Sequence, residues 1–486
     1  MTRTPHLALL AAAMLSGCAQ ATPEQQIIND AADALGGSGR IQAVRTLLIE
    51  GTGTNGNLGQ DMRPEAAGQT FAVSDYRRAI DVAGGRARLE QVRTPNFAFF
   101  QGQAPQKQVS GVDGDVGYNV AANGSATRVA ANIARDRRAE IYHHPVTIVR
   151  AALDPAAVLS NARTMGEESV VAVKTADGLD FTLAINNATK LPTRVVSMSD
   201  NTNLGDVAIE TSFADYREVN ELQLPTRFTT KSDQFTLATL DVTDQTVDGE
   251  VGDLAAPEAA ASAAPAAGPP PATVAVEEVA RGIWLLAGQS HHSVLVEFSD
   301  HLKLIEAPQH DTRTLAVIAK ARELRPDKPL THVVNTHHHF DHSGGIRAAV
   351  SEGLTVITHK GNAAFFEDAV KRAHTIVPDA LAKNPKPLAI ETVDDELMLK
   401  DAAMTVNLYH VAGSPHTETM LMAYFPRERL LVEVDVFSPG AAVAPYAPNL
   451  LENVRKRNLR VDRIVPLHGK IVPFGELTKT VAVTTN

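Results

Sequence analysis

Between Ala255 and Ala272 the chain is Ala or Pro at 15 of 18 positions. Such a tract has no large apolar side chain to bury, and its prolines lack backbone donors, so it cannot run through a core. It divides the chain. At 486 residues the sequence is also too long for one ordinary core. The reading is an export segment at 1–17, a β-rich unit at 18–252, a semi-extended Ala/Pro-rich linker at 253–273 and a second unit at 274–486. Histidine is split unevenly by the linker. Three of 17 (His6, His143, His144) precede it and 14 follow it. A histidine-rich globular half is where a metal centre is to be sought.

Cys18 is the single cysteine, which excludes an intramolecular disulfide framework, Cys-rich zinc modules and iron–sulfur clusters held by this chain alone. It follows Arg3 and a short apolar stretch, Leu7 to Leu15, too short to span a bilayer and laid out like an export signal. Leu15-Ser16-Gly17-Cys18 resembles a bacterial lipobox. That resemblance implies cleavage before Cys18, acyl chains on its thiol and a mature protein anchored in the outer membrane facing the periplasm. The alternative is conventional cleavage at Ala19-Gln20-Ala21, giving a soluble periplasmic protein. The formal net charge of −11 argues against a nucleic-acid partner, which needs a concentrated cationic surface.

The first unit reads as mostly β. A helix is predicted over Pro23–Leu35, stopped by Gly36-Gly37. Strands follow at Thr46–Gly51, Thr70–Tyr76, Ala87–Arg93, Val170–Thr175, Asp180–Ile185, Arg194–Met198 and Asp206–Phe213, with a helical interruption between Ala126 and Leu153. This pattern suggests a curved antiparallel sheet. The stretches GGSGRIQAVRTLLIEGTG and DYREVNELQLPTRFTT loosely resemble the periplasmic lipoprotein-carrier type of half-barrel. His143-His144 reads as a surface turn before Pro145.

The chemistry gathers in the second unit. Thr331–Asn335 reads as a short buried strand running into Thr336-His337-His338-His339-Phe340-Asp341-His342-Ser343-Gly344-Gly345, after which Ile346–Val350 reads as helix. A strand–loop–helix connection is where α/β proteins place ligand-binding groups.

Written His337-x-His339-x-Asp341-His342, the cluster resembles the H-x-H-x-D-H signature of the metallo-β-lactamase superfamily. The resemblance implies an αββα sandwich over 274–486 and two Zn²⁺ ions. His337 and His339, two apart in an extended loop, point the same way and would share the first ion. His416 in Val411-Ala412-Gly413-Ser414-Pro415-His416 matches that ion's third histidine. Asp341, His342 and His468, the last in Pro466-Leu467-His468-Gly469, match the second ion. Asp435 ends Leu430-Leu431-Val432-Glu433-Val434-Asp435 and would bridge the two; Val434 replaces the family's usual Gly, and Glu433 is an alternative bridge. With its only Cys at position 18, the chain cannot belong to the subclass whose second metal uses a cysteine.

Glu306 occupies the place of a family Asp that supports the metal loop, and His359 is a second supporting candidate. For His291 and His292 the resemblance allows either a place facing the site or a plain turn. His338 is expected to point away. The activity implied is hydrolysis of an ester, lactone or related amide of a small molecule in the envelope by a metal-bound hydroxide. Asp341 is given a catalytic part as acceptor of the hydroxide's hydrogen bond, and Tyr446 is a candidate proton donor. Two other readings stand beside it: a mononuclear iron persulfide dioxygenase of the same fold, and an envelope ligand-binding lipoprotein whose metal domain is structural. The oligomeric state is left open.

Overall fold

A computed structural model describes residues 21–484 other than 67, 99–101, 267, 270, 271 and 442. The export segment expected at 1–17 and Cys18 lie outside the described residues. Its first half is built on a 13-stranded sheet in which every neighbouring pair is antiparallel. The chain enters at the sheet's centre on Thr46–Gly56 and meanders outward to Ala126–Arg128. It crosses through helices Ala131–Ile141 and Pro145–Ala152, then meanders back from the other edge until Phe235–Val247 pairs with Thr46–Gly56.

Helix Pro23–Leu35 is closed by a capping box at its start: Thr22 accepts from the Gln25 amide while the Gln25 side chain bonds the Thr22 amide. Gly36 ends it at φ 129°. Its apolar face, Ile28, Ala31, Ala32 and Leu35, packs with Val146, Ile148 and Val149 onto the sheet.

His143 and His144 are a correction to the sequence reading. They do precede a helix, but both are buried. The His143 ring bonds Thr211 Oγ1 and Ser197 Oγ, and His144 Nδ1 accepts from the Val146 amide as a helix cap. Both nitrogens of His143 are thereby satisfied, while His144 Nε2 makes no hydrogen bond and its ring stacks on Phe228. The Ala/Pro tract is likewise less extended than expected: Glu258–Ala261 form a helical turn, Ala260 is buried, and Arg128 donates to the Ala263 carbonyl.

The second half has four layers. A seven-stranded sheet, from Ala275–Ala280 to Ile390–Val393, faces a six-stranded sheet, from Glu396–Lys400 to Val472–Pro473. Val294, Ile305, Val334 and Ile357 meet Leu408, Leu421, Val432 and Val465 between them. Helices Asp311–Leu324, Ile346–Ser351 and Ala363–Lys371 cover the first sheet, and Ala447–Lys456 with Phe474–Thr484 cover the second. Each strand buried on both faces reads as a near-continuous apolar run, as Leu430–Glu433 does. The αββα expectation for this half and the antiparallel-sheet expectation for the first are both met.

The two halves touch. Asp206 accepts from the amides of Thr375 and Ile376, Asn203 Nδ2 donates to Ser343 Oγ at 2.7 Å, and Arg372 pairs with Asp233.

Candidate metal centre

The parallel strand Leu330–Val334 delivers the histidine loop at one edge of the sandwich. Asn335 fixes the turn, its Nδ2 donating to the His342 carbonyl and its Oδ1 accepting from Thr358 Oγ1. The loop presses against the backbone of Ala307–Gln309. A Cβ on Gly345 would lie 1.8 Å from Thr314 Oγ1, so only glycine allows that approach. Glu306, fully buried, accepts from the Thr336 amide at 2.7 Å and from His342 Nδ1 at 2.9 Å. The expected supporting role of Glu306 thus has a geometry, whereas His359 joins neither group of converging residues. Its Nδ1 accepts from the Gly361 amide and its ring packs on His410.

Two groups of donors converge. His337, His339, His416 and Asp435 offer atoms within 4.8 Å of one another, and so do His291, Asp341, His342 and His468. Asp435 adjoins both sets. Its Oδ2 lies 3.4 Å from His337 Nε2, 3.1 Å from His416 Nε2 and 3.0 Å from His342 Nε2, and its Oδ1 lies 2.7 Å from His468 Nε2. Asp435 adopts φ 58°, the strained left-handed region, so the tight turn here is carried by the aspartate itself rather than by a preceding glycine. Glu433 takes no part. It is fully buried, one oxygen accepts from the Phe437 amide, and burial lifts its carboxyl well above the usual range.

The donor set suits a metal ion. His337 Nε2, His339 Nδ1 and His416 Nε2 are buried ring nitrogens that make no hydrogen bond, which buried polar atoms rarely tolerate without a ligand. Burial, and then the neighbouring His342, push His337 down to about 3, while burial and His337 hold His339 well below its ordinary value. Both are therefore neutral imidazoles with lone pairs free, the form that ligates. Asp435 is ionised: burial alone would raise it, but His342 and His468 outweigh that. The far nitrogens are tied down as ligating histidines require. His339 Nε2 donates to the Asp61 carbonyl, His342 Nδ1 to Glu306, and His468 Nδ1 to the Ser290 carbonyl at 2.8 Å. Nitrogen and oxygen donors without sulfur fit zinc among the common divalent ions.

His291, for which a place facing the site and a plain turn were both open, faces it: its Nε2 lies 3.1 Å from Asp341 Oδ2. Nothing in the sequence signalled a strap from the first half, the loop joining Thr46–Gly56 to Thr70–Asp81. Gly59 accepts from the Phe340 amide, Gln60 Nε2 donates to Asp341 Oδ1 at 2.7 Å, and Met62 accepts from the Glu418 amide and Thr417 Oγ1. No local pattern could announce a contact 281 residues away in the chain. His338 is turned from both groups toward Thr419, as expected. Tyr446 packs its ring 5.1 Å from that of His416, but its hydroxyl donates to the Ala98 carbonyl and burial raises it to about 12. Its proton is thus held tightly and directed at Ala98 rather than into the donor groups.

Residues 288–441 match the family model of the metallo-beta-lactamase superfamily. The second half is a metallo-β-lactamase-fold domain. Solved structures similar to it include metallo-beta-lactamases from Pontibacter korlensis (18% identity, 44% of this chain and 100% of that one, TM-score 0.36), Hirschia baltica (16%, 43% and 97%, 0.34) and Erythrobacter litoralis (16%, 44% and 96%, 0.34). No curated protein matches the sequence. Both donor groups of this chain lie on connections that follow strands of its two sheets.

Proposed function

We propose that the chain is a dinuclear zinc hydrolase acting on an ester, lactone or related amide bond of a small molecule. The observation that carries this is Asp435 standing between two converging sets of histidine and aspartate donors. His337, His339 and His416 would hold one ion, Asp341, His342 and His468 the other, and Asp435 both. When bound, zinc supplies a Lewis acid and a water acidified to near neutrality.

The chain's own residues do the rest. Glu306 fixes the His342 ring so that Nε2 faces the site. Asp341 Oδ1 accepts from Gln60 Nε2, which holds its carboxylate in one orientation, and His291 Nε2 lies 3.1 Å from Oδ2. Buried His337 and His339 close one side, while Asp341 and His468 are partly exposed, so substrate would enter from their side. Tyr446 packs beside His416, and the strap borders the entrance where Gln60 meets Asp341.

Full-length protein loaded with Zn²⁺ is expected to hydrolyse at least one of a lactone, an aryl ester, a thioester, a phosphodiester and a β-lactam, compared by kcat/KM. Asp341→Ala should abolish turnover with little loss of folding. One iron per chain with oxygen uptake on a persulfide would refute the hydrolase reading in favour of a dioxygenase. Location belongs to the same proposal: Leu15-Ser16-Gly17-Cys18 supports a lipid anchor facing the periplasm. Fatty-acid labelling lost in Cys18→Ser would support it, and labelling absent from the wild type would refute it.

A further inference from the structure

His291 sits at the turn Gly288–His292 ahead of strand Ser293–Glu297, outside the histidine loop and outside the ligand set that the sequence motif provides. Its side chain is nevertheless held in the second donor group from several directions. Arg313, fully buried, donates to the His291 carbonyl at 3.2 Å and to the carbonyls of Leu286 and Thr273. The His292 amide donates to the Leu467 carbonyl, and His468 Nδ1 donates to the Ser290 carbonyl, so this turn and the His468 turn are fastened to each other. His291 Nδ1 is bonded to Ser290 Oγ at 2.7 Å, which leaves Nε2 facing the group.

The distances are those of a coordination shell. His291 Nε2 is 3.1 Å from Asp341 Oδ2, His342 Nε2 is 3.6 Å from the same oxygen, and His342 Nε2 is 3.1 Å from His468 Nε2. Donors at about 2.0 Å from a tetrahedral zinc are separated by about 3.3 Å. The three rings converge accordingly, with centroids 4.2 Å (His291–His468), 4.9 Å (His291–His342) and 5.1 Å (His342–His468) apart.

We propose that His291 is a further protein donor to the second metal position, beside Asp341, His342, His468 and the shared Asp435. This deepens the two-ion reading above and rests on it. The consequence is an asymmetric centre. With Asp435 counted at both, the second position has five protein donors and the first, held by His337, His339 and His416, has four. The less crowded first position is thereby the one assigned to substrate and water, and the second serves to hold charge and to fix Asp341 and Asp435.

The test compares full-length wild type with His291→Ala, His291→Gln and, as a neighbouring control, His292→Ala, whose ring is outside both donor groups. Zinc content and stepwise affinity are read by chelator competition, and coordination by the visible absorption of the cobalt-loaded protein. Wild type and His292→Ala should bind two ions. His291→Ala should keep the first and bind the second about a hundredfold more weakly or worse, beyond the range typical of residues that merely support a ligand. Its cobalt spectrum should change for the second ion only. His291→Gln can still donate to Asp341 but is a poor zinc ligand, so it should behave like His291→Ala. Wild-type affinity and spectrum in His291→Gln would overturn ligation and leave His291 a positioning residue for Asp341. Unchanged binding in His291→Ala would overturn it outright. A wild type that binds fewer than two ions would instead overturn the two-ion reading itself, a failure visible without any variant.

Discussion

His339 Nε2 donates to the carbonyl oxygen of Asp61 at 2.9 Å, so a histidine of the metal centre is oriented by the backbone of the other half of the protein. The bond fixes the tautomer that leaves Nδ1 free toward His337 and His416. Gly59 makes the approach feasible: it has φ 74°, and a Cβ there would lie 2.2 Å from the Phe340 ring. Gly59→Ala should therefore lift the strap and weaken zinc binding roughly 10- to 100-fold, the usual effect of losing a ligand's hydrogen-bond partner. Isothermal titration of the full-length variant checks this, and unchanged affinity would remove the strap from the metal centre.

Glu306→Gln should be more damaging than its size suggests. The carboxylate accepts from the Thr336 amide and from His342 Nδ1 inside a fully buried space. An amide offers one acceptor and turns a donor against the other N–H. A stability loss of about 1–3 kcal/mol is expected, with weaker retention of the second ion, measured by urea unfolding and metal analysis of the same samples.

Asp435→Asn should reduce retention of both ions by more than the roughly 10- to 100-fold lost with a supporting partner, because Asp435 is the carboxylate that adjoins both donor groups. Glu433→Gln should leave metal content unchanged, since Glu433 joins neither donor group and accepts from the Phe437 amide. Metal analysis of the two variants side by side distinguishes the carboxylates.

The first half should be acid-labile through its buried histidine pair. Burial, then Arg78, drives His143 down to about 3; burial also drives His144 to about 3. Unfolded, each would titrate near its ordinary value. The unfolded chain thus binds more protons below about pH 6.5, so stability is intact above that pH and declines as pH falls toward 3. At pH 5 each histidine costs about 2 kcal/mol. His143→Gln should flatten the dependence of unfolding free energy between pH 7 and 5; an unchanged slope would exclude this origin.

Much of this was legible where a local rule sufficed. Gly36-Gly37 marked where the first helix ends, and the spacing from His337 to His342 located the centre. Asp435 was found although Val434 displaces the usual glycine, because the strand before it is continuous and apolar. His143 was misread because its partners Ser197 and Thr211 lie on strands far along the chain, and His144 because its burial depends on packing against Phe228 from a distant strand. His359 looked like a supporting residue by its place after a strand, yet it caps the turn at Gly361. Tertiary contacts that no periodicity encodes decided between the two places open to His291 and created the strap.

The strap has a consequence for how such a protein can diversify. The residues nearest the entrance, Gln60 to Met62, lie on a loop whose two ends are anchored in a separate sheet. That loop therefore does two things at once: Gln60 borders the entrance while the Asp61 carbonyl orients His339. A change there that alters which molecules are admitted must keep the Asp61 carbonyl in place, so the sheet domain and the metal-binding half are constrained to vary together at this strap.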